Sequence, residues 1–317
     1  MPPQPVTIPP SVEALRGRNA VWERWVDALP RLASALLREW ALDADGTPDH
    51  RRGSLALAVR DADGRPLVLE LACPDPDRAG AIPALKAWRG VGAVRLERAD
   101  PRRGALLLER LGPTALDCVA EDEACRVLGG LYRSLHVPAP PTVPALAPGV
   151  LALLDGLQAL GRDAPAPPRL VQRALGVGRE LAADLQRPEA DLRVVHGDLH
   201  GGNVLAADRA PWLVVAPCGF AGDPCYEPGQ ALWHRWPEIL AADDAGEAIR
   251  RRFWTLVEAA ELDERRARDW TVVRAMVALY RRVEPFRSAG RPLDAAAEAS
   301  VTRYVTVAKT IQAIRTW

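Results

Sequence analysis

His196-Gly197-Asp198-Leu199-His200-Gly201-Gly202-Asn203 follows the mainly apolar run Leu192-Arg193-Val194-Val195, so a strand delivers the chain into a turn-rich loop. One carboxylate in it stands five residues ahead of one carboxamide. That pairing suits phosphoryl transfer: an aspartate orients an acceptor hydroxyl and takes its proton, and an asparagine offers a neutral oxygen to a magnesium ion bridging phosphates. The next strand, Leu213-Val214-Val215, runs into Ala216-Pro217 where this chemistry calls for a second, anionic ligand. One part of the expected site is missing.

Outward from the loop, 317 residues with about half their positions apolar suffice for one large or two modest cores. Lys+Arg and Asp+Glu both total 41, which argues against a nucleic-acid or anionic-membrane partner held by bulk charge. Only Lys86 and Lys309 are lysines. The start Met1-Pro2-Pro3-Gln4-Pro5 has no signal-peptide pattern and no run is long enough to span a membrane, so a cytoplasmic protein is expected. Five cysteines without CxxC spacing read as unbridged thiols.

Trp22, Trp25, Leu29, Leu32, Leu36 and Trp40 predict an amphipathic helix, divided by Pro30. Ser54 to Arg60 and Leu67 to Leu71 flank the turn Asp61-Ala62-Asp63-Gly64 and predict a hairpin. A helix over Ala79 to Arg89 follows, then strands at Ala93 to Glu97 and Ala105 to Glu109. Beyond Leu111-Gly112-Pro113 the pattern is mostly helical, with stretches at Ala124 to His136, Val150 to Leu160 and Arg169 to Leu185. These patterns place a boundary at Gly112, giving units 1–112 and 113–317.

The chain resembles the aminoglycoside phosphotransferases, most closely the streptomycin kinase and hydroxyurea kinase branch. The resemblance is carried by Ala84 to Gly90, Gly104 to Leu111, the loop 196–203, Pro211 to Val215, Gly222-Asp223-Pro224 with Tyr226, and Leu232-Trp233. It implies an α+β, protein-kinase-like two-lobe fold: a small N-terminal lobe with an antiparallel sheet, a larger helical lobe, and ATP with magnesium between them. It also implies Asp198 as catalytic base, His200 near the acceptor or packed, and Asn203 as metal ligand. The hinge at Glu109 to Leu111 would present backbone to adenine, and the turn at Gly53 and Ser54 would cover the phosphates.

Three departures count against ATP and magnesium. Glu70 stands where the family carries its phosphate lysine, Ala81 where that lysine's glutamate partner is expected, and Ala216 where the metal-binding aspartate belongs. Lys86 falls about 140° around its helix from the cleft-facing position and is a poor replacement. Arg51, Arg52 and Arg78 are candidate phosphate contacts or partners of Glu70, Asp223 is a candidate metal ligand or loop cap, and Asp208 is a turn residue. Glu227 is expected to serve the loop or the following helix. Glu238, Asp243 and Asp244 read as a solvated face. The resulting expectation is a degenerate, pseudokinase-like member acting through a small hydroxylated molecule or a protein partner. The alternative is an active ATP-dependent O-phosphotransferase with Asp198 as base.

Overall fold

The computed structural model describes residues 6–51, 53–73 and 79–314. Arg52 and Arg78, and the side chain of Arg51, lie outside the described residues. Helices α1 (Pro10–Glu13) and α2 (Ala20–Glu39) precede strands β1 (Asp43–Ala44), β2 (Asp49–Arg51), β3 (Ser54–Arg60) and β4 (Pro66–Ala72). Helix α3 (Ala81–Trp88) and strands β5 (Leu96–Asp100) and β6 (Ala105–Glu109) complete the small lobe. Its antiparallel sheet has the order β1-β3-β4-β6-β5, with β2 beside β3.

The predicted hairpin forms because Asp61 Oδ1 accepts from Asp63 N (3.1 Å) and Arg65 N (2.9 Å), while Gly64 supplies a φ of 79°. Strand alternation then sorts the sheet's two faces. Leu55, Leu57, Val59, Leu67, Leu69 and Leu71 pack under α2 in a core of their own. Glu70 pairs with Ala56 and Leu106 and so lies on the opposite face.

Two expectations are corrected. Pro30 does not divide the first long helix: α2 is continuous through it. An interior proline costs about 3 kcal/mol. Burying Val26, Leu29, Leu36 and Leu37 on one face contributes about 1.5–3 kcal/mol each and outweighs that loss. The strand expected at Ala93 to Glu97 lies three residues later, because the large lobe takes its first residues: Ala93 bridges Val214, and Val94 N donates to Val214 O (2.9 Å).

The large lobe starts with α4 (Glu121–Leu135), α5 (Leu146–Ala159) and α6 (Pro168–Asp184). Short strands follow, β7 (Arg193–Val195), β8 (Val204–Ala206), β9 (Trp212–Val214) and β10 (Phe220–Gly222), paired β7 with β10 and β8 with β9. Helices α7 (Pro228–Trp233), α8 (Trp236–Ala241), α9 (Ala245–Ala260), α10 (Glu264–Ser288) and α11 (Ala295–Gln312) end the fold. Helix α3 packs with this lobe: Ala84, Leu85 and Trp88 belong to its core, and Trp88 Nε1 donates to Leu135 O (2.7 Å). The packing seam thus runs along the sheet. No helix among the described residues is long and apolar enough to cross a membrane, and all five cysteines are outside disulfides.

His136, at the end of α4, stacks on Tyr132 with ring centroids 5.8 Å apart. Burial, helped by Arg193, pushes its pKa down from 6.5 to about 3. Between those values the unfolded chain binds the extra proton, so stability is lost as pH falls below 6.5. The expected loss from this group is about 2 kcal/mol at pH 5. His136→Phe removes that component, which urea unfolding at pH 7.5 and pH 5 would reveal as a smaller difference than in the unmodified chain.

Candidate active site

Strand β7 carries the chain into the 196–203 loop, and buried side chains hold the loop from beneath. His196 Nδ1 accepts from Asp198 N (3.2 Å), so Nε2 holds the ring proton and donates to Val215 O (3.0 Å). The His196 ring stacks on Trp88 of α3 at 6.1 Å. Glu227, fully buried, accepts from His196 N and from Gly197 N (3.3 Å). Burial pushes its carboxyl above the ordinary range, with Arg274 and the two backbone donors opposing. Glu227 therefore braces the loop, as expected for one of its two readings. Gly197 adopts φ 81°, and a Cβ there would lie 2.8 Å from the Phe220 ring.

Asp198 is half-buried and lines a cavity of about 460 Å³. Asn203 Nδ2 donates to Asp198 O (2.8 Å), which locks the spacing read from the sequence. No hydrogen bond within the described residues engages Asn203 Oδ1, so one neutral oxygen remains on offer. His200 does not line this cavity. Its Nδ1 accepts from Gly202 N (3.1 Å), and its ring stacks at 4.0 Å on His234, whose Nε2 meets Asp117 at 2.9 Å. Of the two expected placements, the packed one is observed.

Asp223 does not reach toward a metal, which corrects that expectation. Its Oδ1 accepts from Cys225 N (2.9 Å), while Oδ2 accepts from Trp270 Nε1 (2.7 Å) and from Arg266 Nε. Ala216 also lines the cavity and is held at φ 55°. That left-handed conformation costs an alanine about 1 kcal/mol, and aspartate or asparagine adopts it more readily. The backbone thus keeps a shape suited to the acidic residue it lacks. Among the described residues no cluster of three His, Cys, Asp or Glu could hold a metal. With alanine at 216, the end of β9 supplies no carboxylate to join Asn203 in holding magnesium, so the residues present do not fit the ion in the family's manner.

The expected nucleotide residues are scattered. Gly53 sits in the turn between β2 and β3 at φ 80°, with its N–H donated to His50 Nε2 (3.3 Å) and its Cα against the Trp22 ring. Ser54 is fully buried, so neither group faces the cavity. Glu109 is clamped from the large lobe by Arg209, whose Nε and Nη2 meet it at 2.8 Å. Arg209 also donates to Gly90 O and Ala93 O, each at 2.7 Å. Leu111 is different: no hydrogen bond within the described residues uses its backbone groups. Lys86 is exposed on α3 and Lys309 is exposed on α11. With Glu70 in the place of the family's lysine and both lysines exposed on helices, the residues present do not fit a triphosphate in the family's manner.

Sequence reasoning missed the opposite wall. Arg274, Arg281 and Arg282 of α10 line the same cavity as Asp198, with Trp233 and Tyr304 beside them. The available signal was Trp270-Thr271-Val272-Val273-Arg274-Ala275-Met276-Val277, a lone arginine inside an apolar run. Such an arginine is kept only where acceptors await it.

Residues 39–284 match the family model described as aminoglycoside/hydroxyurea antibiotic resistance kinase. The chain is 40% identical over 268 residues to streptomycin 6-kinase of Streptomyces glaucescens, covering 80% of this chain and 83% of that one. It is 38% identical over 269 residues to hydroxyurea phosphotransferase of Kitasatospora aureofaciens, covering 83% and 75%. Among solved structures it is similar to choline kinase LicA from Streptococcus pneumoniae, with TM-score 0.59, 11% identity, and 90% and 100% of the two chains covered. It is also similar to aminoglycoside phosphotransferase APH(4)-Ia, with TM-score 0.56, 17% identity, and 88% and 98% covered. These two likenesses are of fold. With the family model spanning most of the chain and the two relatives agreeing, this chain belongs to the aminoglycoside/hydroxyurea antibiotic resistance kinases.

Proposed function

We propose that this protein has kept the small-molecule cleft of its family and lost the nucleotide-and-metal half, so that it acts by binding a small hydroxylated ligand, or a protein partner, rather than by phosphoryl transfer. The observation that carries this reading is the charge on β4. Glu70 occupies the strand face that looks away from α2, and both lysines of the chain are exposed on helices. At ~4 Å and an effective dielectric of 20, a charge pair is worth about 4 kcal/mol, and a carboxylate in the lysine's place forgoes that attraction to phosphate. Ala216 removes the carboxylate that would offset the charge of a metal ion.

A second reading, an active O-phosphotransferase with Asp198 as base, is favoured by the intact 196–203 loop and by the unengaged Leu111 backbone. Relatives named for phosphorylating streptomycin and hydroxyurea add weight to it. Thermal unfolding with millimolar ATP, with and without magnesium, separates the two. The unmodified chain is expected to show no magnesium-dependent shift. Glu70→Lys/Ala216→Asp is expected to gain one, about 2.7 kcal/mol at a hundredfold excess over Kd. A magnesium-dependent shift in the unmodified chain would overturn the proposal and establish the second reading's first step.

A further inference from the structure

The charged groups that line the cavity beside Asp198 are already committed. Arg274 donates to Tyr226 O (2.6 Å), Glu227 O (3.0 Å) and Gly197 O (2.8 Å). Arg282 meets Asp294 at 3.6 Å and lies over the Phe286 ring at 5.9 Å. Neither Asp198 nor Arg281 is free of partners. A ligand carboxylate or ammonium would give up its water for charges that are in use, which opposes the burial of either.

Much of the remaining lining is apolar and rich in rings. Aromatic residues make up 5% of the chain, yet Phe220, Tyr226, Trp233 and Tyr304 all line this one cavity. They do not form a cage for a ligand cation, because the Arg274 guanidinium already lies 4.0 Å from the Tyr226 ring and 6.0 Å from that of Trp233. Trp233 and Tyr304 meet edge-on at 5.3 Å, an arrangement that a further flat ring can join. Helix α5 adds Leu146, Gly149, Val150 and Leu153, whose spacing puts them on one face. A neutral polar group stands among these residues: no hydrogen bond within the described residues engages the Gln230 carboxamide. At about 460 Å³ the space falls within the ~300–1,000 Å³ of sites for small organic molecules.

We propose that this cavity takes an uncharged, hydroxyl-bearing aromatic compound, with its ring against Trp233, Tyr304 and the α5 face and its hydroxyl toward Gln230. The assignment rests on the reading that the small-molecule cleft is kept. It departs from the cationic streptomycin for which two relatives are named. Gly149 marks the rim: it lines the cavity, it is exposed, and a Cβ there would meet nothing within 4 Å.

The test is calorimetric titration of the full chain at neutral pH, without nucleotide, with 2-naphthol, 2-naphthoate, 2-naphthylmethylammonium and streptomycin. The alcohol is expected to bind at one site per chain, tenfold or more tightly than each charged compound. Gly149→Phe, which sets a ring across the rim, is expected to weaken it at least tenfold. That variant should unfold in urea no earlier than the unmodified chain, because a helical glycine is replaced where space is open. The charge series needs no variant, so it decides the ligand class whatever the variant's stability. The proposal is overturned if 2-naphthol saturates no site, if a charged compound binds as tightly as the alcohol, or if folded Gly149→Phe keeps full affinity. Tight binding of a charged compound would overturn the ligand class while leaving the kept cleft standing. No nucleotide is present, so these outcomes are independent of the magnesium-dependent shift that tests the proposed loss of phosphoryl transfer.

Discussion

Asp223→Ala is expected to cost about 3 kcal/mol of stability, an effect on folding and not on metal affinity. The carboxylate joins three elements: the turn at Cys225, the fully buried Trp270 of α10, and Arg266, which also reaches Asp184 at 3.0 Å. Truncation leaves the Trp270 indole N–H buried without an acceptor, worth about 1–3 kcal/mol. The lost turn cap adds about 1 kcal/mol. Arg266 is partly exposed and keeps Asp184, so it contributes less. Urea unfolding measures the sum. A loss below about 1 kcal/mol would mean that the carboxylate is not the joint described here.

Gly80→Ala is the second large effect, also expected at about 3 kcal/mol or more. A Cβ on Gly80 would lie 1.7 Å from Gly219 O and 2.9 Å from Cys218 O, both backbone atoms that cannot swing aside. The N-terminal end of α3 rests here on the loop that follows Ala216, and the chain has glycine on both sides: Gly219 has φ 79°, and its own Cβ would lie 2.2 Å from Gly80 O. Gly176→Ala, inside α6 with nothing within 4 Å, is the matched control. It is expected to stabilise the chain by about 0.4–1 kcal/mol. If the two variants unfolded at similar denaturant concentrations, the close approach would not exist in solution.

What could be read from the sequence was local. The 196–203 loop was legible because Asp198 and Asn203 keep their chemistry at a fixed spacing, and the Asp61 turn because one side chain organises it. The fold followed from those pieces and from the resemblance they support. Pro30 was misread because its local cost is visible in the sequence, whereas the burial that outweighs it depends on a sheet formed later in the chain. Ala93 and Val94 look like strand residues and do pair, but with β9 in the other lobe. Asp223 sits seven residues from Ala216 with suitable chemistry, and only the positions of Arg266 and Trp270, more than 40 residues away, show that both oxygens are taken. Arg274 stands out within its apolar run, but nothing near the arginines of α10 in sequence says that their helix faces Asp198.

Arg209 is one of several joints between the two lobes. A two-lobed protein joined by one strand crossing would swing about that crossing on the microsecond-to-millisecond scale. Here one guanidinium from the β8–β9 turn holds Glu109 at the crossing and two carbonyls flanking Val91 and Gly92, so it acts as a second bolt set beside the first. Two fixed points remove a rotation that one would allow. Its ion pair is mostly shielded from water, so added salt should loosen it little. Together with the packing of α3 and the pairing of Ala93 with Val214, this bolt ties the segment around the β5 strand to the large lobe, whereas the described lining of the cavity beside α10 comes from the large lobe itself.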